Sequence, residues 1–234
     1  AARGGGERQA ARARVAVDQG AVVTTVALID YGAGNLTSVM RGLRRAGLDP
    51  AVATSPAALA HASGIIVPGV GHFSATRAIT DEWRAAILAR VAVGVPLLGI
   101  CLGMQWLFDG STEAPGVPGL GLAQGVCREL IEIGNQFDEL IPDFNLKVPH
   151  LGWNTLMPAQ PSRLLAGIAP DAFAYFAHSF AAPVGPDTVA TTLHGSTFAS
   201  VIERDNVFGA QFHPELSAGT GAAIFANFAK VVAR

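Results

Sequence analysis

The segment GICLGMQ at 99–105, which follows the apolar run 95–98, limits the possible folds of this chain more than any other part of it. The pattern predicts a buried strand that ends in a sharp turn and opens a helix, with the thiol of Cys101 at the apex. Gly99 and Gly103 suit such a strained turn, because side chains at these two positions would clash. The thiol would then lie beside the first N–H groups of the helix, which favour the thiolate. A buried, inert cysteine is the alternative interpretation.

The sequence from residue 22 onward alternates between apolar runs and amphipathic segments, as in an α/β protein. Strands are predicted over 22–30, 51–53, 64–67 and 95–100, and helices over 35–46, 80–93 and 102–108. This half should form an open, mostly parallel sheet with helices on both faces. After a loop rich in Gly and Pro, short strands are predicted over 125–133, 154–157, 173–180, 188–193, 198–203 and 207–212, and a closing helix over 218–232. The C-terminal half should therefore add antiparallel strands.

The size and charge of the chain exclude several classes of protein. The 234 residues suffice for one large domain, half of them are hydrophobic and 15% are charged, yet no uninterrupted apolar stretch could span a membrane. A net charge of −2 gives no reason to expect a nucleic acid or an anionic membrane as partner. The two cysteines are too few for a disulfide scaffold, and a reactive Cys101 suits a reducing cytoplasm. Cys127 is expected to be a small buried hydrophobic residue in a strand.

The first residues differ in composition from the rest of the chain. Residues 1–21 contain four arginines and three consecutive glycines, and valine is their only large apolar residue type. An arginine-rich leader could be a transit peptide, but serine is absent from this segment. We predict a disordered N-terminal extension over 1–21 and a single domain over 22–234.

A second chemical motif, His213-Pro214-Glu215, follows an apolar strand near the C-terminus. A residue before proline is pushed into an extended conformation, and residues two apart in an extended segment point to the same side. Glu215 could therefore hold the imidazole of His213 in one tautomer and orientation. A base oriented by an acid, together with an activated cysteine, is the arrangement of a covalent acyl-transfer site. We therefore predict a triad of Cys101, His213 and Glu215.

Three further motifs fall where strands end, the usual place for sites in open α/β sheets. In the segment 30–35 (DYGAGN), Asn35 is a candidate helix N-cap. In the segment 68–71 (PGVG), glycines on both sides of Val70 would let one peptide rotate and offer its N–H to an oxyanion; a simple turn is the alternative. In the segment 149–154 (PHLGWN), exposing the Trp-Asn pair would be costly without a partner, and a buried tryptophan is the alternative.

Six segments together resemble the class I (triad) glutamine amidotransferases, from about Val26 to the C-terminus. They are DYGAGN at 30–35, PGVG at 68–71, GICLGMQ at 99–105, PHLGWN at 149–154, YFAHS at 175–179 and QFHPE at 211–215. The third and sixth are shared across class I, whereas the first, fourth and fifth resemble the glutaminase subunits of imidazole glycerol phosphate synthases. The resemblance implies a flavodoxin-like α/β fold and the hydrolysis of glutamine through a cysteine thioester, with no cofactor and no metal.

The resemblance also implies a role for each matching residue. Cys101 would be the nucleophile, His213 the general base and then acid, and Glu215 the residue that orients the imidazole. The oxyanion would be bound by N–H groups of Leu102 and of the segment Gly69, Val70 and Gly71. The amino and carboxylate groups of glutamine would be held by Gln105, Glu113, Ser179 and Phe180.

The implied partner is a (β/α)8-barrel cyclase subunit, which would form a heterodimer with this chain and receive its ammonia. The residues expected to face it are Asn35, Trp153 and Asn154. The family usually has lysine after His-Pro-Glu, where it pairs with the cyclase, and this chain has Leu216 instead. Two alternatives stay open at this point: a glutaminase subunit of another class I synthase, and a noncatalytic interaction module on the same fold.

Overall fold

The structure, a computed structural model, describes residues 24–135 and 146–234. The predicted extension over 1–21 lies outside these residues. Five α-helices are formed: α1 (Leu36–Arg45), α2 (Asp81–Ala92), α3 (Leu102–Trp106), α4 (Leu130–Asn135) and α5 (Ala218–Val232). The strands of the first half are β1 (Thr25–Ile29), β2 (Asp49–Ala53), β3 (Gly64–Val67), β4 (Leu97–Ile100), β5 (Gly110–Ser111) and β6 (Val126–Glu129). Those of the second half are β7 (His150–Thr155), β8 (Met157–Pro158), β9 (Phe173–His178), β10 (Phe180–Ala181), β11 (Thr188–His194), β12 (Ser196–Arg204) and β13 (Val207–Ala210).

The main sheet has eight strands in the order β2-β1-β3-β4-β13-β12-β11-β8. Its first five strands pair in parallel, and the last three are antiparallel to their neighbours. Two smaller sheets, β10-β6-β5 and the two-stranded ribbon β7-β9, lie outside it. The predicted α/β class, with a mostly parallel sheet and antiparallel strands in the C-terminal half, is confirmed.

Burial on both faces explains why the central strands are continuous apolar runs. In β1, Val26 and Leu28 enter the core that α1 and α5 cover, whereas Ala27 and Ile29 enter the core on the opposite face, against Trp83 of α2. Alternate side chains of a strand point to opposite faces, so a strand covered on both sides must be apolar throughout. The predicted apolar face of α1 is confirmed, since Val39 and Leu43 are buried and Leu36 and Met40 pack against them.

The strand order also sets where the two chemical motifs meet. β13 comes from the C-terminal part of the chain, yet it pairs in parallel with β4, with Ala210 opposite Ile100. The carboxyl ends of these neighbouring strands therefore lie at the same edge of the sheet. Cys101 follows one strand directly, and His213 follows the other after two intervening residues.

Several sequence predictions were wrong in part. The strand predicted over 154–157 is instead the end of β7, which begins at His150, followed by the separate β8, and the helix predicted over 102–108 ends at Trp106. The strand predicted over 125–133 ends at Glu129, and residues 130–135 form α4 instead, because Leu130 turns in to join the core. The strand predicted over 207–212 ends at Ala210, and Pro214–Leu216 forms a 3-10 turn. The closing helix over 218–232 and the Asn35 N-cap, whose side chain accepts from the Ser38 N–H at 3.2 Å, are confirmed. No helix within residues 24–135 and 146–234 is long and apolar enough to cross a membrane.

Candidate active site

Cys101 occupies a strained turn between β4 and α3. Its φ of 51° lies in the left-handed region that residues other than glycine rarely adopt, and the residue is 5% exposed. The glycines beside it are required by close approach: a Cβ on Gly103 would lie 1.8 Å from the Val67 carbonyl oxygen, and one on Gly99 would lie 2.6 Å from the Gly103 oxygen. The predicted turn is therefore present, and backbone packing holds it in this shape.

His213 and Glu215 form a buried pair on the 3-10 turn after β13. The Nδ1 atom of His213 lies 2.9 Å from Oε1 of Glu215, and the two side chains are 5% and 2% exposed. The second carboxylate oxygen, Oε2, is buried with no hydrogen-bond partner within the described part of the chain. The predicted contact between these residues is formed, although the 3-10 turn rather than a continuing strand brings them together.

The imidazole of His213 is held in its charged form. Burial alone would lower its pKa, but the neighbouring Cys101 and the hydrogen-bonded Glu215, through their negative charge, raise the pKa of His213 to about 10. The ring is therefore an imidazolium at neutral pH and faces the Cys101 sulfur on one side and a carboxylate on the other. An acidic proton next to a nucleophilic sulfur is what expulsion of an amine requires.

A cavity of about 300 Å³ opens in front of Cys101. It has room for a small substrate, and backbone as well as side-chain groups face it. Its lining brings together Cys101 and six of the predicted oxyanion and substrate-binding residues: Gly71, Leu102, Gln105, Glu113, Ser179 and Phe180. Gly69 and Val70 are not part of the lining, and His178, which was not predicted, is. Pro149, Leu151 and Ala177 complete the lining.

Gln105 and Gln211 connect the cavity wall to the nucleophile. The amide Nε2 of Gln105 donates to the Phe180 carbonyl oxygen at 2.7 Å and to Oε1 of Gln211 at 3.2 Å. Gln211 in turn donates from Nε2 to the Cys101 sulfur at 3.7 Å. Sequence reasoning assigned no role to Gln211; its place two residues before His213, at the end of an apolar strand, was the available signal.

Glu113 holds the segment that follows the PGVG motif. Its Oε2 atom accepts from the Phe73 N–H at 2.7 Å, at the start of the 3-10 turn Phe73–Ala78. Gly71 lines the cavity with a φ of +91° and open space around its Cβ position. Gly69 differs, because a Cβ there would lie 2.4 Å from the Tyr31 hydroxyl and 2.7 Å from Leu102 Cβ. Of these two glycines, one is needed for backbone conformation and the other for close packing.

In the segment 69–71, the side chain of Val70 is exposed, whereas Tyr31, which packs against this segment, is buried. Val70 is 42% exposed and does not line the cavity. Tyr31 is buried, its hydroxyl has no partner within the described residues, and burial and the charge of Cys101 raise its pKa. The segment 69–71 thus lies between a buried hydroxyl and the open cavity.

The predicted partner-facing residues differ in their surroundings. Asn35 is exposed, and Trp153 is 51% exposed with its ring edge-on to Tyr175 at 5.9 Å, so the tryptophan is not a buried core residue. Asn154 is half-buried, and its amide donates to Nε2 of His150 at 3.1 Å and to the Leu193 carbonyl oxygen at 3.0 Å. Cys127 is fully buried in β6, as predicted. Across residues 24–135 and 146–234, no three His, Cys, Asp or Glu side chains are grouped to hold a metal ion.

Comparison with known proteins identifies one family. The model of the family "Glutamine amidotransferase class-I" matches residues 27–232. A protein of Deinococcus radiodurans named imidazole glycerol phosphate synthase subunit HisH is 45% identical over 89% of this chain and 94% of its own length. A protein with the same name from Methanothermobacter thermautotrophicus is 41% identical over 88% of this chain and 98% of its own.

Solved structures share the fold at low sequence identity. A crystal structure of a glutamine amidotransferase superposes with a TM-score of 0.67 at 18% identity, covering 89% of this chain and 99% of its own. The PurLQS structure from Thermotoga maritima gives a TM-score of 0.63 at 18% identity, covering 88% and 97%. These structures support the fold alone.

Proposed function

The chain belongs to the class-I glutamine amidotransferase family, and on that premise we propose that it is the glutaminase subunit of an imidazole glycerol phosphate synthase. The observation that carries the glutaminase activity is that Cys101 and the His213–Glu215 pair follow two neighbouring parallel strands, at one edge of the sheet. Relatives that are 41–45% identical over most of their length bear the name of that subunit. The chain hydrolyses glutamine to glutamate and ammonia.

In the first half-reaction, the Cys101 sulfur attacks the side-chain amide carbon of glutamine as a thiolate, and a C–S bond forms. The negative charge that develops on the amide oxygen is bound by N–H groups at the start of α3, where the first helical N–H groups have no partner within the helix, and in the 69–71 segment. His213 then transfers its proton to the amide nitrogen, the C–N bond breaks, and ammonia leaves. The product is a glutamyl thioester on Cys101.

In the second half-reaction, the neutral His213 takes a proton from a water molecule, which attacks the thioester carbon. The C–S bond breaks, glutamate is released, and the thiolate and imidazolium are restored. Glu215 keeps Nδ1 of His213 protonated throughout, so that Nε2 is the atom that exchanges protons with the substrate. Each turnover consumes one water and one glutamine.

The cavity wall carries groups that suit the amino-acid end of glutamine. Both N–H groups of Gln105 are engaged within the chain, so only its carbonyl oxygen is left to accept from the substrate ammonium. Glu113 binds the Phe73 N–H through one oxygen and supplies negative charge to the same wall. Backbone groups of Ser179 and Phe180 complete the binding site in this proposal.

The β7–β9 ribbon supplies the surface that would meet a (β/α)8-barrel cyclase. Trp153, Leu151 and Phe173 lie on its outer side and are 51–66% exposed. Apolar side chains exposed side by side mark a protein interaction surface. Leu151 also lines the cavity, so this surface adjoins the site where ammonia forms. We therefore propose that the cyclase binds here, in a heterodimer. The reactive thiol proposed for Cys101 suits a reducing compartment, so we propose the cytoplasm as the place of the reaction.

The deciding experiment separates the two halves of the synthase. Cys101→Ala should abolish product formation from glutamine by the complex, while added ammonia should still support it, because the cyclase uses ammonia whatever its source. Steady-state rates with each nitrogen donor measure this directly. Cys127→Ala is the matched control, since it removes a thiol that is buried outside the cavity, and it should keep the glutamine-dependent rate. Loss of both activities in Cys101→Ala would contradict the proposed division of labour.

A further inference from the structure

A hydrogen-bonded chain of side chains runs beneath the β7–β9 ribbon to the cavity wall. Nδ2 of Asn154 lies 3.1 Å from Nε2 of His150, Nδ1 of His150 lies 3.1 Å from Nε2 of His178, and Nδ1 of His178 lies 2.9 Å from the Phe180 carbonyl oxygen. The strand register builds this chain, because His150 is directly opposite His178 and Asn154 is on the same side of β7 as His150.

The two end groups of this hydrogen-bonded series, the Asn154 amide and the Phe180 carbonyl, fix the position of every proton between them. An amide NH₂ can only donate, so Nε2 of His150 accepts; a carbonyl oxygen can only accept, so Nδ1 of His178 donates. Nδ1 of His150 must then carry a hydrogen and donate to a bare Nε2 of His178. Both rings are therefore neutral, both are protonated at Nδ1, and all three bonds run in one direction, from Asn154 to Phe180.

The surroundings agree with neutral rings. His150 and His178 are 4% and 6% exposed, and burial, with smaller contributions from neighbouring histidines, lowers the pKa of His150 to about 4 and that of His178 to about 3. The His150 ring is stacked between His194 at 4.0 Å and Phe176 at 4.7 Å. These contacts prevent the His150 ring from rotating and so breaking its hydrogen bonds to Asn154 and His178.

The receiving end of the chain is part of the glutamine site. The Phe180 carbonyl oxygen accepts from both His178 and Gln105, which uses both of its lone pairs. Gln105 also donates to Gln211, which donates to the Cys101 sulfur. Displacing the Phe180 carbonyl would therefore disturb the amide that faces the substrate and, through it, the donor to the nucleophile.

We infer that His150 and His178 are positioning residues for glutamine binding, and that Asn154, half-buried on the inner side of the ribbon, fixes their tautomers and so the place of the Phe180 carbonyl. This inference rests on the proposed function, since it assigns these residues to the same glutamine site. It makes the affinity for glutamine depend on a side chain outside the cavity, on the ribbon that would meet the partner.

The tautomers can be read directly on the wild-type chain. Nitrogen-15 spectra of histidine-labelled protein near pH 7 should show two neutral imidazoles protonated at Nδ1, whereas exposed histidines favour protonation at Nε2. His150→Phe and His178→Phe assign the two signals. In Asn154→Leu, His150 loses the donor to its Nε2, so its signal should move toward a mixture of tautomers. Signals from two Nε2-protonated rings in the wild type would overturn the inference.

Kinetics of the complex with its cyclase test the consequence for glutamine. His150→Phe keeps the stacked ring and removes the link, so KM for glutamine should rise about tenfold while kcat changes little, as expected for lost uniform binding. Asn154→Leu should act in the same direction, and the double variant should be no worse than His150→Phe alone, because both changes break one chain.

His194→Phe is the matched control, because it keeps the stack on His150 but belongs to no link of the chain. Its KM for glutamine should equal that of the wild type. An unchanged KM in His150→Phe, or equal rises in His150→Phe and His194→Phe, would overturn the inference while leaving the Cys101→Ala result intact. Glutamine hydrolysis that persists in Cys101→Ala would instead overturn the proposed function, whatever the tautomers are.

Discussion

At the scale of single residues, the chemistry of this site depends on how a buried imidazole is kept charged. Burial works against the charge on His213, and Cys101 and Glu215 together outweigh it, so its pKa rises to about 10. The same protein keeps His150 and His178 neutral in an equally buried place, because their partners are an amide, a carbonyl and each other. The nearest hydrogen-bond partners therefore decide whether a buried histidine is charged and can donate a proton, or is neutral and only links other groups by hydrogen bonds.

Glu215→Gln tests the balance at His213. The amide cannot supply the negative charge that helps to raise the pKa of His213, so that pKa should fall, and the imidazolium should be lost at lower pH. The alkaline limb of the glutaminase pH–rate profile, expected near pH 10 in the wild type, should therefore move to lower pH. The loss of rate at neutral pH should be smaller than in His213→Ala, which removes the proton donor. A limb that stays in place would show that Glu215 does not tune the base.

At the scale of elements, the segment 68–71 contains two glycines, and each position requires glycine for a different physical reason. Gly69 has no room for a side chain, because Tyr31 and Leu102 are too close, whereas Gly71 has room but a left-handed φ. The sequence suggested that both glycines allow a peptide to rotate. The close packing at Gly69 leaves Gly71 as the position where the backbone can adopt a conformation closed to other residues.

Gly71→Ala is therefore the sharper test of the proposed oxyanion role of the segment 69–71. A side chain at φ +91° is strained by about 1–2 kcal/mol, and relief of that strain would turn the local N–H groups away from the amide oxygen. The glutaminase rate of the complex should fall by up to about 10²–10³-fold, the usual value of one oxyanion donor. Gly94→Ala carries the same strain, at φ +89° with open space, and should keep the wild-type rate. Equal rates for the two variants would remove the segment from the mechanism.

At the scale of the whole molecule, the β7–β9 ribbon has one side packed on the hydrophobic core, through Phe176 and Ala174, and one side exposed. Its inner side carries His150, Asn154 and His178, and its outer side carries Leu151, Trp153 and Phe173. Leu216, in the position where the resemblance implies that a lysine is usual, directly follows Glu215 and is 45% exposed. The proposed cyclase interface would therefore rely on apolar burial more than on charge.

The affinity for the cyclase, and its dependence on salt, should reflect the apolar side chains on the outer side of the ribbon. Trp153→Ala should weaken binding by about 2 kcal/mol or more, as expected for a tryptophan that fills a desolvated pocket. Binding of the wild-type chain should change little with ionic strength, whereas Leu216→Lys should make the association rate depend on salt. Val93→Ala, which alters an exposed side chain at the end of α2, is the control and should bind normally. Titrations at low and high salt measure each case, and affinity that collapses with salt but ignores Trp153→Ala would contradict this description.

The sequence by itself determined the parts of this protein that depend on local geometry. The turn at Cys101, the N-cap at Asn35, the apolar face of α1 and the bounds of α5 follow from residue type and spacing over a few positions. These features are local, because sterics, hydrogen bonding and periodicity act between residues that are close along the chain. The order of the motifs also indicated a triad, although spacing along the chain could not supply its distances.

Only the tertiary structure decided which distant segments meet. The insertion of β13 beside β4 puts the His213 turn next to Cys101, and the register of β7 with β9 puts His150 opposite His178. Pairing between strands depends on the packing of both sheet faces and on register, and a shift of one residue would turn each side chain to the other face. For that reason the sequence places Gln211, His150 and His178 within motifs, but only the fold shows which hydrogen bonds they form and which charge states they adopt.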